Sequence, residues 1–143
     1  MAKVPTRVFV FPVKGREAEI ARLKQMLTKA GCELVCDQPV VSNPEKCLRD
    51  ADVLVILMCP ETEGDQTVEA LIALASKLGK RVVAVWLPGS TATELPAAIH
   101  SHGDAAVTMD AASVKDAVCD SKTIWLLPDG KPRPAPKTPR HKG

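Results

Sequence analysis

The segment Gly64-Asp65-Gln66-Thr67-Val68-Glu69 carries the residue types best suited to chemistry. A glycine leads into Asp65, where a helix begins, and Glu69 follows one turn later. Helical spacing sets Ala73 and Ser76 beside Glu69, so its face is small-sided and separate from the apolar stripe through Val68. A carboxylate near a helix N-terminus is favoured in its charged form. That form is what a nucleophile, or a stabiliser of an oxocarbenium-like centre, requires. A solvated or capping glutamate is the plainer reading of the same spacing. Cys59 is a second candidate, because a thiol near a helix N-terminus gains nucleophilicity; a buried, inert cysteine is the plainer reading there.

The elements that must position these residues follow from apolar periodicity. Arg7–Pro12 reads as strand 1, and Lys14-Gly15 makes the turn. Ile20, Leu23, Met26, Leu27 and Ala30 recur at helical spacing over Glu17–Ala30, and Gly31 ends that helix. Glu33–Asp37 is strand 2. Asn43 caps a short helix with Pro44 at its first position, ending near Leu48. Ala51–Met58 is the strongest apolar run and predicts a central strand buried on both faces. The Val68, Leu71, Ile72, Ala75 and Leu78 stripe defines the next helix. Arg81–Leu87 is a fourth strand, Glu94–Ile99 a short helix, Ala105–Thr108 a short strand and Asp110–Val118 a last helix.

Strands alternating with helices over short turns predict an α/β, flavodoxin-like three-layer sandwich. Its sheet would be parallel, with five strands in the order 2-1-3-4-5. Ligands in such sheets bind beyond the carboxyl ends of the strands, where the strand order switches, here between strands 1 and 3. Phe11, Pro12, Lys14 and Gly15 would line one side, and Cys59 with Gly64 the other. Gly89 and Ser90, after strand 4, would lie close by. The chain has no GxGxxG after strand 1, no GxxxxGK[ST], and Met58-Cys59 where a phosphate-accepting receiver domain has its aspartate.

The order of motifs resembles a known group. Val8-Phe9-Val10-Phe11-Pro12, Ala51-Asp52-Val53-Leu54-Val55-Ile56, Gly64-x-x-Thr67-x-Glu69 and Ala73-x-Ala75-x-x-x-Gly79-Lys80-x-Val82 look like the nucleoside 2-deoxyribosyltransferase-like superfamily. More distantly they are similar to bacterial TIR domains. The resemblance covers roughly residues 6–90. It implies an N-glycosidase or glycosyltransferase acting on a nucleoside, nucleotide or NAD, with Glu69 as nucleophile at C1′ and Asp52 or Asp65 as its polar partner. Carboxylates would carry that chemistry with no metal or cofactor. Two departures stand out. Phe11 lies near where the transferases have a tyrosine, and Thr67-Val68 replaces the Trp-Cys pair of TIR enzymes. The alternative is a non-catalytic module on the same fold that binds a nucleotide signal or a protein.

Composition bounds the rest. The chain has 143 residues, about one domain. It contains no run of apolar residues long enough for a spanning helix and no secretory h-region at its start, which predicts a cytosolic protein and no membrane partner. Five cysteines without a CxxC pair predict free, buried thiols rather than disulfides. The first 120 residues hold 13 basic and 16 acidic side chains, and residues 121–143 hold six basic against one acidic. The domain at 1–120 is thus mildly acidic, and 121–143 forms a basic, proline-rich tail. Thr123–Leu127 could add an edge strand or pack as an extended arm; residues 128–143 read as extended or disordered. The tail could anchor on an acidic protein partner, and self-association into a homo-oligomer remains open.

Overall fold

The computed structural model describes residues 5–38, 41–92 and 94–136. Eleven elements follow one another: β1 (Arg7–Val10), α1 (Glu17–Lys29), β2 (Glu33–Leu34), α2 (Pro44–Asp50), β3 (Val53–Met58), α3 (Gln66–Lys77), β4 (Arg81–Trp86), α4 (Ala97–His102), β5 (Ala105–Val107), α5 (Ala111–Val114) and a π-helical turn (Lys115–Cys119). The five strands form one parallel sheet in the order β2-β1-β3-β4-β5, as expected.

Strand periodicity sorts the core into two layers. Val8, Val10, Val55, Leu57, Val83 and Val85 point to one face, against Leu23 and Leu27 of α1 and Val114 of α5. Phe9, Leu54, Ile56, Val82 and Ala84 point to the other, against Leu48 of α2, Leu71, Ile72 and Ala75 of α3, and Ile99 of α4. All six residues of β3 are buried, because the strand is central and helices cover both faces. Helix starts follow capping chemistry. Asn43 Oδ1 accepts from Lys46 N at 3.2 Å, Asp65 Oδ1 from Val68 N at 3.0 Å, and Asp110 Oδ1 from Ser113 N at 2.8 Å.

Three expectations need revision. β2 is two residues long rather than five, because Cys36 adopts a left-handed backbone (φ 52°) that ends the ladder. Four of the five cysteines are bonded, as Cys32–Cys119 and Cys36–Cys47, with Cα–Cα separations of 6.3 and 5.9 Å; Cys59 alone is free. These partners lie 87 and 11 residues apart, so the fold brings together what spacing does not. The bonds also remove the cysteines as support for a reducing compartment.

The third revision concerns the residues after Leu127, since the sequence already allows Thr123–Leu127 at the sheet edge or as an extended arm. Ile124–Leu126 pairs alongside β5: Ala106 N donates to Ile124 O (2.9 Å), and Leu126 N to Ala106 O (2.8 Å). The chain then turns at Pro128–Gly130 and returns antiparallel, with Leu127 N to Lys131 O and Arg133 N to Trp125 O. The tail is therefore docked at least as far as Arg133; residues 137–143 lie outside the described residues. No helix among the described residues is long and apolar enough to cross a membrane.

Candidate functional site

The carboxyl ends of β3 and β4 open into a cavity of about 700 Å³. Met58 and Trp86 end these two paired strands and form its apolar floor. One wall comes from the loop after β3 and the start of α3, with Cys59, Gly64 and Glu69. The other comes from the loop after β4, with Gly89, Ser90 and Leu95. The volume lies within the range of small-molecule sites, roughly 300–1,000 Å³.

The β3–α3 loop is held from beneath by Thr62. The β1–β3 ladder ends where Phe11 N donates to Val55 O, and Leu57 O lies beyond it. The buried Thr62 hydroxyl donates to Leu57 O at 2.7 Å and accepts from Cys59 N at 3.1 Å. Cys59 Sγ lies 3.6 Å from Leu57 O and 3.5 Å from Thr62 Oγ1, so the one free thiol is tied into the same turn. Gly64 takes φ 72°, a backbone that suits glycine, and hands the chain to Asp65. Asp65 caps α3, and Glu69 N bonds Asp65 O one turn on. Glu69 is exposed and faces the cavity.

The crevice between β1 and β3, where the strand order switches, is bridged by an ion pair. Arg16 Nε, from the loop after β1, lies 3.1 and 3.0 Å from the two carboxylate oxygens of Glu61, from the loop after β3. A hydrogen bond from its own backbone N–H holds the Glu61 carboxyl below its ordinary range; desolvation opposes this, and Arg16 adds to the lowering. The Glu61 hydrogen bond in turn raises Arg16. Glu61 is exposed and Arg16 partly so, so salt screens the pair.

The candidate residues therefore divide. Glu69, Gly64, Cys59, Gly89 and Ser90 meet at one cavity, with Asp65 at its edge as a cap. Phe11, Pro12, Lys14 and Gly15 belong to the β1 side and do not line it. Phe11 instead packs edge-on to Phe9 with ring centroids 6.4 Å apart, and Gly15 lies beside Glu61. Asp52 is at the opposite, amino end of the sheet, where Oδ2 accepts from Arg7 N at 2.9 Å. It stands before the first residue of β3, while Glu69 lies beyond the last, so it cannot partner Glu69.

Sequence reasoning missed Trp86, Thr62, Glu63 and Glu94. The last two carboxylates join Glu69 in the cavity lining, which among the described residues contains no lysine, arginine or histidine. A signal for Trp86 existed, as the last residue of a predicted strand. Nothing in the spacing marked Thr62. Among the described residues no group of three or more His, Cys, Asp or Glu side chains is placed to hold a metal ion. Comparison of the chain with protein-family profiles, curated proteins and solved structures finds no match.

Proposed function

We propose that the protein is an N-glycosidase or glycosyltransferase acting on a nucleoside-type N-glycoside, with Glu69 as nucleophile. One observation carries the reading: Glu69 lines the cavity at the carboxyl ends of β3 and β4, together with Gly64 and Cys59. The resemblance to the nucleoside 2-deoxyribosyltransferase-like superfamily supplies the role. Chemically, the Glu69 carboxylate would attack C1′ as the C1′–N bond breaks, the bonding pair leaving on the base, which takes up a proton from solvent where it departs as an anion; attack on C1′ by water or by the nitrogen of an acceptor base would then break the ester bond and free Glu69. Met58 and Trp86 offer an apolar bed for a base, and Ser90 offers a hydroxyl for the sugar.

A second reading is a non-catalytic module that binds its ligand in the same cavity. The Arg16–Glu61 bridge favours it, because it spans the crevice where ligands of this sheet type ordinarily sit. A cytosolic place of action belongs to either reading only with the paired cysteines as thiols.

The test incubates wild type and Glu69→Gln with a panel of nucleosides, nucleotides and NAD, and follows free base by chromatography. Glutamine keeps the volume and removes the charge. Loss of at least about a thousandfold in rate, with an unchanged unfolding transition, supports the nucleophile assignment. Equal rates in the two proteins make Glu69 a surface glutamate. Binding without base release by wild type leaves the binding module.

A further inference from the structure

The two disulfides converge on one element. Cys32 immediately precedes β2, and Cys36 stands two residues after its end. Their partners lie on opposite faces of the sheet. Cys32–Cys119 reaches the π-helical turn in the layer of α1 and α5, and Cys36–Cys47 reaches α2 in the other layer. The strand is therefore tied at both ends, once on each face.

Little else holds it. β2 pairs with β1 through two residues, Arg7 with Glu33 and Val8 with Leu34, where strands commonly run about 5–6. Glu33 N donates to Thr6 O and Val35 N to Val8 O, each at 2.9 Å. Of Glu33, Leu34 and Val35, only Val35 is buried. Lys24 Nζ lies 2.7 Å from Asp37 Oδ1, but the Asp37 side chain is 55% exposed, so solvent screens that pair. Cys36 itself holds a left-handed backbone (φ 52°), which a residue with a Cβ adopts only at a cost. The opposite edge makes the contrast. β5 has three residues, yet all are buried, and Ile124–Leu126 covers its outer side. Among the described residues no strand lies beyond β2.

We propose that Cys32–Cys119 and Cys36–Cys47 form a redox-sensitive clamp on β2. Oxidised, they hold the strand in the sheet; reduced by a dithiol, they release it and uncover the outer edge of β1. The thiolate of the dithiol attacks the less buried member of a pair, Cys119 or Cys36, and a mixed disulfide forms as the protein S–S bond breaks. The second thiol of the reductant then displaces the protein sulfur. Each protein disulfide takes up two electrons and two protons and becomes two thiols, and the reductant departs as its own disulfide. The two bonds differ in reach. Cys32–Cys119 spans 87 residues and restrains the whole chain, whereas Cys36–Cys47 spans 11 and acts on the end of β2. Release leaves Thr6 O and Val8 O without their donors, as acceptors open to an incoming strand.

Hydrogen–deuterium exchange of the full chain, read by mass spectrometry, compares the air-oxidised protein with the same protein in dithiothreitol. The quantity is the exchange rate of residues 33–36 divided by that of residues 53–58 in β3, because a uniform loosening raises both. Reduction should raise this ratio at least about tenfold. Cys36→Ser/Cys47→Ser should reproduce most of the rise without reductant. An unchanged ratio in the reduced wild type overturns the clamp and leaves two bonds that merely stabilise the fold. Alkylation that finds all five cysteines free in the air-oxidised protein overturns it as well. So does an equal response to dithiothreitol in Cys32→Ser/Cys36→Ser/Cys47→Ser/Cys119→Ser, which would assign the rise to the reductant rather than to the bonds.

Discussion

Replacing Thr62 by valine isolates the hydroxyl that holds the β3–α3 loop beside the site. Valine is nearly isosteric, so packing in the turn is kept. The substitution removes the donor to Leu57 O and the acceptor for Cys59 N, at 2.7 and 3.1 Å. Both backbone groups lie in a buried turn, since Leu57, Cys59 and Thr62 are each less than a tenth exposed. A buried polar group left unpaired costs about 1–3 kcal/mol. Two such groups, with partial relief at Leu57 O from the weak Cys59 Sγ donor 3.6 Å away, predict a loss of about 2–4 kcal/mol. That is a large share of a typical total of about 5–15 kcal/mol. Thr62→Ser is the control. It keeps the hydroxyl, loses one methyl, and should cost about 1 kcal/mol. Urea unfolding of the three proteins, followed by far-UV circular dichroism, gives the comparison, with the slope confirming that the same surface is exposed. If valine lies within about 0.5 kcal/mol of wild type, the hydroxyl is not holding the turn and the account of this loop fails.

Other expectations come from the same geometry. Ile56→Asp, at a site 2% exposed in the central strand, should prevent cooperative folding, and a soluble variant with a sharp melt would contradict the packing of β3. Breaking Cys32–Cys119 with Cys119→Ser frees a link across 87 residues and should lower stability by about 2–5 kcal/mol under oxidising conditions, read as the shift in urea midpoint; no shift would mean the bond does not form in solution. Lys131 O and Arg133 N point inward to the Trp125–Leu127 segment, so Pro132 faces outward and leaves the sheet edge without a donor there. Pro132→Ala with Pro134→Ala should bring concentration-dependent association in light scattering, and a monomeric variant at all concentrations would refute this edge role. Burial pushes the Asp110 carboxyl up, but hydrogen bonds from Thr108 and Ser113 outweigh it and the net shift is downward. Its stabilisation is therefore fully present above the unfolded value near about 4 and lost as pH falls through the folded value. Asp110→Asn should flatten that acid limb of the stability curve, and an unchanged limb would assign it to other carboxylates.

What the sequence determined was everything set by local chemistry and period. The apolar run at Val53–Met58 admits only a strand buried on both faces, and the strand–helix alternation restricts the sheet to few orders. Asn43, Asp65 and Asp110 cap where they stand because a side-chain oxygen two or three residues from a free N–H needs no tertiary help. Glu69 was legible at a helix start for the same reason. Only the tertiary structure decided which crevice is open. Arg16 and Glu61 are 45 residues apart and pair across the β1–β3 crevice, while the cavity opens on the β3–β4 side. It also decided that Asp52 faces the wrong end of the sheet, a matter of strand direction that no residue type encodes. The disulfide partners and the docking of Ile124–Arg133 beside β5 belong to the same class. Each depends on long-range contacts whose closure entropy only the assembled core can offset, so no local pattern announces them.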